Sequence, residues 1–338
     1  MKKTVLFILL FIPFFSCKNK KGIPDVSGIE VSVPVVRFDK VFFSIDTNDI
    51  PAGLQKLQQQ HPGFYLDFMQ QILGVNGADT SLKTIAVTRE FIRGYKSIFD
   101  SLQSSYNETI WLQKELEQSF RFVKYYFPEY KPGNAILFVG PFDAPGVALT
   151  LSGLAIGLQQ YAGSNFSVYQ SAPGQEMFPL YISRRFDKKY IVANCMKAVA
   201  QDLFPDNSGA KPLIEQMVER GKQWYLLDKF MPEAPDSIKT GYTKHQLEWC
   251  VQYEGMIWSH IVKNEDLNSL NPAVIQTYIG EGPFTQGLSQ EDSPGNIGQW
   301  IGWQIVKKYA AKNSTLKPEE VMMTPAAKII EEAKYKPK

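Results

Sequence analysis

Apolar residues recur at helical spacing along most of this chain. Ile50, Leu54 and Leu57 form one such stripe, Phe64, Phe68 and Ile72 a second, and Ile85, Phe91 and Ile92 a third. Pro51 just inside the first helix and Asp49 before it supply a start and a cap. A longer helix is predicted from Glu108 to Phe127, with Trp111, Leu112, Leu116, Phe120 and Val123 on one side and Pro128 as its stop. Beyond Tyr169 the pattern predicts helices over Lys188–Phe204, Ala210–Phe230, Thr243–Lys263, Asn296–Lys312 and Pro325–Lys334. Thr243 followed by Gln246 has the spacing of a capping box.

Extended patterns are fewer. Val31 to Ile45, rich in β-branched and aromatic residues and broken by Pro34, predicts one or two early strands. After Lys131-Pro132-Gly133-Asn134 the runs Ala135–Val139, Gly146–Leu151 and Gly153–Leu158 predict three short strands, simplest as a meander with a tight turn at Ser152-Gly153. The expected fold class is therefore α+β, mostly helical with a small sheet. Lys131-Pro132 is the best boundary between a mainly helical region 30–130 and a region 131–338, unless the two form one continuous domain.

The first residues have a different character. Lys2 and Lys3 precede an apolar run from Val5 to Phe15, and Ser16 leads into Cys17. Eleven apolar residues fall short of the roughly twenty that cross a membrane. The layout is that of a bacterial lipoprotein signal over residues 1–16. Cys17 takes a diacylglycerol through its thiol, and residues 17–29, beginning with the basic Lys18-Asn19-Lys20-Lys21, form a tether. Several acyl chains make such an anchor effectively permanent.

Composition narrows the function without naming it. A hydrophobic fraction of 44% describes a packed body, and a net charge of +2 from dispersed charges does not suggest nucleic acid. Cys195 and Cys250 allow one disulfide in an oxidising periplasm or stand as two buried thiols.

Candidate chemistry is sparse. His245 and Glu248 lie one helical turn apart, the nearest approach to metal-ligand spacing, and no HExxH occurs. Glu254, in an apolar stretch with Trp249, Ile257 and Trp258, must be solvated, paired or neutral, and Arg184 or Arg185 is its expected partner. Cys195 has no histidine nearby in sequence to activate it. Gly298 and Gly302 have the spacing that permits a close helix crossing.

The residues also carry a resemblance. Tyr125–Pro128, Gly157–Tyr161, Gly221–Asp228, Gly241–Leu247, Trp249-Cys250, Glu254–Ser259, Ser293–Val306 and Lys334–Pro337 together resemble the GldB family, gliding-motility lipoproteins of Bacteroidota. The resemblance implies an envelope component required for gliding, linked to type IX secretion, with other gliding lipoproteins or machinery subunits as partners and no cofactor. Lys18–Lys21 lacks the acidic residues usual in surface-displayed lipoproteins of that phylum, so the resemblance implies the periplasmic face of the outer membrane, with the inner membrane as the alternative.

A weaker similarity links the order of elements to gluzincin-type zinc peptidases. The helix that would carry HExxH falls on Tyr190–Val199, which has no histidine or glutamate, whereas Glu254-Gly255 keeps the later carboxylate. That similarity implies a body without metal, with Cys195 and Cys250 near one another. It also implies a cleft in which Trp258, Trp300 and Trp303 line a peptide site, unless they are core. The function expected is a non-catalytic scaffold. The alternative is an unusual hydrolase using Glu254 with His245, or Cys195.

Overall fold

The computed structural model describes residues 22–264 and 267–337. Cys17 and the segment before it lie outside the described residues.

Four short strands form one mixed sheet: β1 (Val35–Val36), β2 (Asn134–Phe138), β3 (Val147–Thr150) and β4 (Gly153–Gly157). Their order is β1-β2-β4-β3, with β1 and β4 parallel to β2, and β3 antiparallel to β4. The expected meander is thus corrected. The loop after β2 carries the chain to the far edge, and β4 returns to the middle. Burial explains the order: β4 is buried at every position and needs neighbours on both sides, whereas β3 is only half-buried and sits at the edge.

Around the sheet the chain is helical, as the periodicity predicts. The N-terminal helices are α1 (Phe38–Phe43), α2 (Ile50–Gln60), α3 (Pro62–Asp67), α4 (Leu82–Tyr106) and α5 (Ile110–Tyr126). A π-helical turn over Phe68–Ile72 follows α3. The second expected early strand is corrected too, because Val41–Phe43 belongs to α1. Phe38 and Phe42, one turn apart, meet Phe68 with ring centroids 4.9 Å away, so packing overrides their β propensity. Asp49 caps α2 by accepting from Ala52 N–H.

Three short helices, α6 (Ser167–Gln170), α7 (Ala172–Met177) and α8 (Leu180–Ser183), lead to α9 (Ile191–Leu203) and α10 (Leu213–Phe230). Then come α11 (Asp236–Thr240), α12 (Lys244–Gln252), α13 (Glu254–Asn264) and α14 (Pro272–Ile279). The chain closes with α15 (Ile297–Lys312), α16 (Pro318–Met323) and α17 (Ala326–Ala333). The helix expected over Thr243–Lys263 is two, broken at Tyr253, and the capping box of Thr243 and Gln246 starts the first. The break places Glu254 in the first turn of α13, where unsatisfied N–H groups favour a carboxylate.

One apolar cluster runs from Val33 to Ala333, and β1 pairs with β2 across the Lys131-Pro132 loop. At the C-terminal end of this core α10 crosses α15 with backbone almost touching backbone. A Cβ built on Gly221 would lie 2.2 Å from the carbonyl carbon of Gly302, so the small residues serve a close crossing.

Candidate functional site

Glu254 is held by the chain's own C-terminus. The Tyr335 hydroxyl donates to Glu254 Oε1, and the Tyr335 ring stands edge-on to Trp258 with centroids 5.2 Å apart. Burial, then the hydrogen bond and charge of Glu254, push the Tyr335 hydroxyl pKa well up, so it stays a proton donor. The expected partners of Glu254 are corrected. Arg184 donates to the Gly241 carbonyl and to Gln246 Oε1, and Arg185 pairs with Glu281 at 3.1 Å.

His245 lies at the other end of α12 from Glu254. Its Nε2 is 2.7 Å from Asp292 Oδ1, and Asp292 is held below the usual carboxylate range by hydrogen bonds from Ser289 and then His245. Glu248 turns to Lys244 at 3.6 Å and is 63% exposed. His245 and Glu248 therefore do not converge. Among the described residues no three His, Cys, Asp or Glu side chains come together in a way that could hold a metal ion.

Cys195 and Cys250 are both buried and stand as free thiols. Cys195 lies near Tyr161 on α9, whereas Cys250 lies near Tyr242 on α12. Burial raises both thiol pKa values well above the ordinary range, the opposite of what a nucleophile needs. In the Cys17→Ser chain, a thiol reagent is expected to label neither cysteine while the protein is folded and both in denaturant, without a reductant. Two thiols that appear only after reduction would show a disulfide.

The tryptophans separate. Trp300 is 1% exposed and Trp303 2%, so both are core and not cleft. Trp303 donates its indole N–H to Asp228 Oδ2 at 2.8 Å and meets Trp224 edge-on at 5.8 Å. Trp258 alone borders a hollow, about 270 Å³, whose other walls are Ile305, Ile330 and Lys334–Lys336. The chain's own Tyr335 covers that face of the ring.

A second hollow was not foreseen. A groove of about 960 Å³ runs along the β3–β4 hairpin, with Phe64 and Ile72 from the α3 region and Phe120 and Tyr130 from around α5. The sequence carries no distinct signal for it, because Leu149 in β3 and Leu151 in the turn after it read as ordinary strand residues; Leu149 is 38% exposed and Leu151 fully so.

Fold and site together describe a helix-rich α+β protein whose candidate catalytic side chains are either tied into structural contacts or buried. The family model described as gliding motility protein GldB matches residues 19–337, and the chain belongs to this family of gliding-motility lipoproteins. Neither a curated protein nor a solved structure matches the chain, so the likeness to gluzincin peptidases has no support. No described helix is long and apolar enough to cross a membrane.

Proposed function

We propose that this chain is a lipid-anchored component of the gliding apparatus, fixed to the envelope through Cys17, and that it works by binding and not by catalysis. Family membership over residues 19–337 carries this reading. The contacts of the candidate side chains support its non-catalytic part. Glu254 is clasped by Tyr335, His245 is turned to Asp292, and Cys195 is buried. A general base or nucleophile has to face substrate with a pKa suited to its task. Arg184 and Arg185 are likewise committed to Gln246 and Glu281.

The partners under this reading are other gliding lipoproteins or subunits of the type IX secretion apparatus, met at the periplasmic face of the outer membrane. The basic tether before Gly22 keeps the body close to the headgroups. Replacing Cys17 by serine removes the acylated atom, and the expected result is a protein that folds, leaves the membrane fraction and fails to support gliding. Membrane fractionation and single-cell gliding speed read both effects. Full gliding with the serine variant in the soluble fraction would exclude the anchor as part of the function.

A further inference from the structure

We propose that a polar cavity between α10, the loop that leads into it and the corner joining α16 to α17 binds the C-terminal carboxylate of a partner protein, held by Lys211 and Lys222. This deepens the binding role given above and rests on it for the ligand being part of a protein.

Charge comes first. The cavity holds about 370 Å³, the size of a small-molecule site, and its charged lining is Asp206, Lys211, Glu219 and Lys222. Asp206 is already paired with Arg220 at 3.0 Å. Two ammonium groups then share one carboxylate: Lys211 Nζ donates to Glu219 Oε1 and Lys222 Nζ to Oε2, both at 3.0 Å. The lining is left with an excess positive charge.

The donors are also in excess. An ammonium carries three N–H groups. Lys222 directs one to Glu219 and one to the Thr324 carbonyl at 2.8 Å, and its third has no partner among the described residues. Lys211 has two such groups. The side chain of Lys222 is 3% exposed and that of Lys211 32%, so the first forms the floor of the site and the second its mouth. The bond to Thr324 ties α10 to the α16–α17 corner and accounts for Lys222 as a structural residue. It does not account for a second lysine on the same carboxylate. Burial pulls the Lys222 pKa down, Glu219 offsets part of that, and Lys211 adds to it. An incoming carboxylate balances the pair. Thr324 and Pro325 in the lining stand at the N-terminus of α17, which has no side-chain cap, and its first N–H groups favour an anion further.

Charge and walls select the occupant. One carboxylate matches the excess, whereas a phosphate dianion overshoots it beside Glu219. Leu203, Phe204 and Met322 supply apolar wall, and Met323 at the rim is 71% exposed. Methionine adapts to varied side chains. A chain end with an apolar last residue meets donors, charge and wall together.

The test titrates the full-length chain in detergent with N-acetyl-alanyl-leucine, followed by calorimetry at low salt. Saturable 1:1 binding is expected. The C-terminal amide of the same probe should bind the unaltered protein at least about 10-fold more weakly, the equivalent of one charge-assisted hydrogen bond. Lys211→Gln leaves Glu219 paired with Lys222 and should weaken binding about 10-fold with an unchanged melting curve, and Lys211→Arg should restore most of it. No saturable binding, an amide that binds as well as the acid, or indifference to Lys211→Gln would overturn the proposal. So would displacement of the probe by inorganic phosphate at equal concentration, which makes this a general anion site. The assay has no gliding readout, so its failure leaves the anchor test standing, and failure of the anchor test leaves this assay standing.

Discussion

Gly302→Val is expected to destabilise the protein by roughly 3 kcal/mol or more, at the upper end for overpacked cores, which lowers the melting temperature of a chain this size by about 6 °C or more. A Cβ on Gly302 would lie 1.7 Å from the Met217 carbonyl oxygen, and that atom is helix backbone that cannot move aside like a side chain. The opposing effect is the better helix propensity of a residue with a side chain, about 1 kcal/mol for glycine to alanine and less for valine. Sterics win here because α10 and α15 form the central helix pair of the C-terminal core. Gly94, in the interior of α4 with nothing within 4 Å of its Cβ position, is the control. Gly94→Ala should gain about 0.5–1 kcal/mol. Thermal or urea unfolding reads both, and a neutral Gly302→Val would mean that the crossing is looser than described.

Asp228→Ala should cost about 3 kcal/mol. Asp228 accepts from Lys239 with one oxygen and from the Trp303 indole with the other, and the side chain of Lys239 is only 6% exposed. Removing the acid leaves a buried ammonium and a buried indole N–H short of a partner, the costly way to break such a pair, at about 3–5 kcal/mol. The lower figure applies because Asp228 is 22% exposed and Asp236 remains 2.7 Å from Lys239. Burial alone pulls the Lys239 pKa down, but Asp228 and Asp236 outweigh it and the net shift is up. A raised folded-state pKa contributes stability that is present at neutral pH, below the unfolded value, and is lost as pH rises through the folded value. The difference between wild type and Asp228→Ala should therefore hold at neutral pH and shrink only in strong alkali. A difference that grows with alkali would contradict the pairing.

Asp228 lies in the stretch Gly221–Asp228 on which the resemblance rests, yet the sequence does not reveal its part in holding Lys239 and Trp303. Local signals were legible. The ends of α5, α15 and α17 follow to within about two residues from periodicity and proline, whereas α10 starts at Leu213, after Pro212 and three residues later than expected; Gly298 and Gly302 were readable as a crossing. Contacts over long separations were not. Strand order depends on pairing Val35 with Ala135, and Glu254 finds its donor 81 residues away at Tyr335. The helix α14 was missed although Asn271 caps it and Pro272 opens it, because its short apolar stripe is weak. Cys195 and Cys250 stand as free thiols, and Trp300 and Trp303 are buried, neither of which spacing in the sequence could fix.

The groove along the β3–β4 hairpin illustrates the same limit. Leu149 and Leu151 look like ordinary strand residues until the sheet order puts them at an edge. Glu254, His245 and Cys195 look chemical until their neighbours are known.

Gliding speed in cells whose only copy carries Glu254→Gln together with His245→Ala tests the central claim most directly. Glutamine keeps an oxygen for the Tyr335 hydroxyl, and His245 is 68% exposed, so the body should still fold and accumulate. Wild-type speed is the predicted result for a component that acts by binding. Loss of gliding with normal protein levels and an unchanged melting curve would contradict it and make these two side chains catalytic.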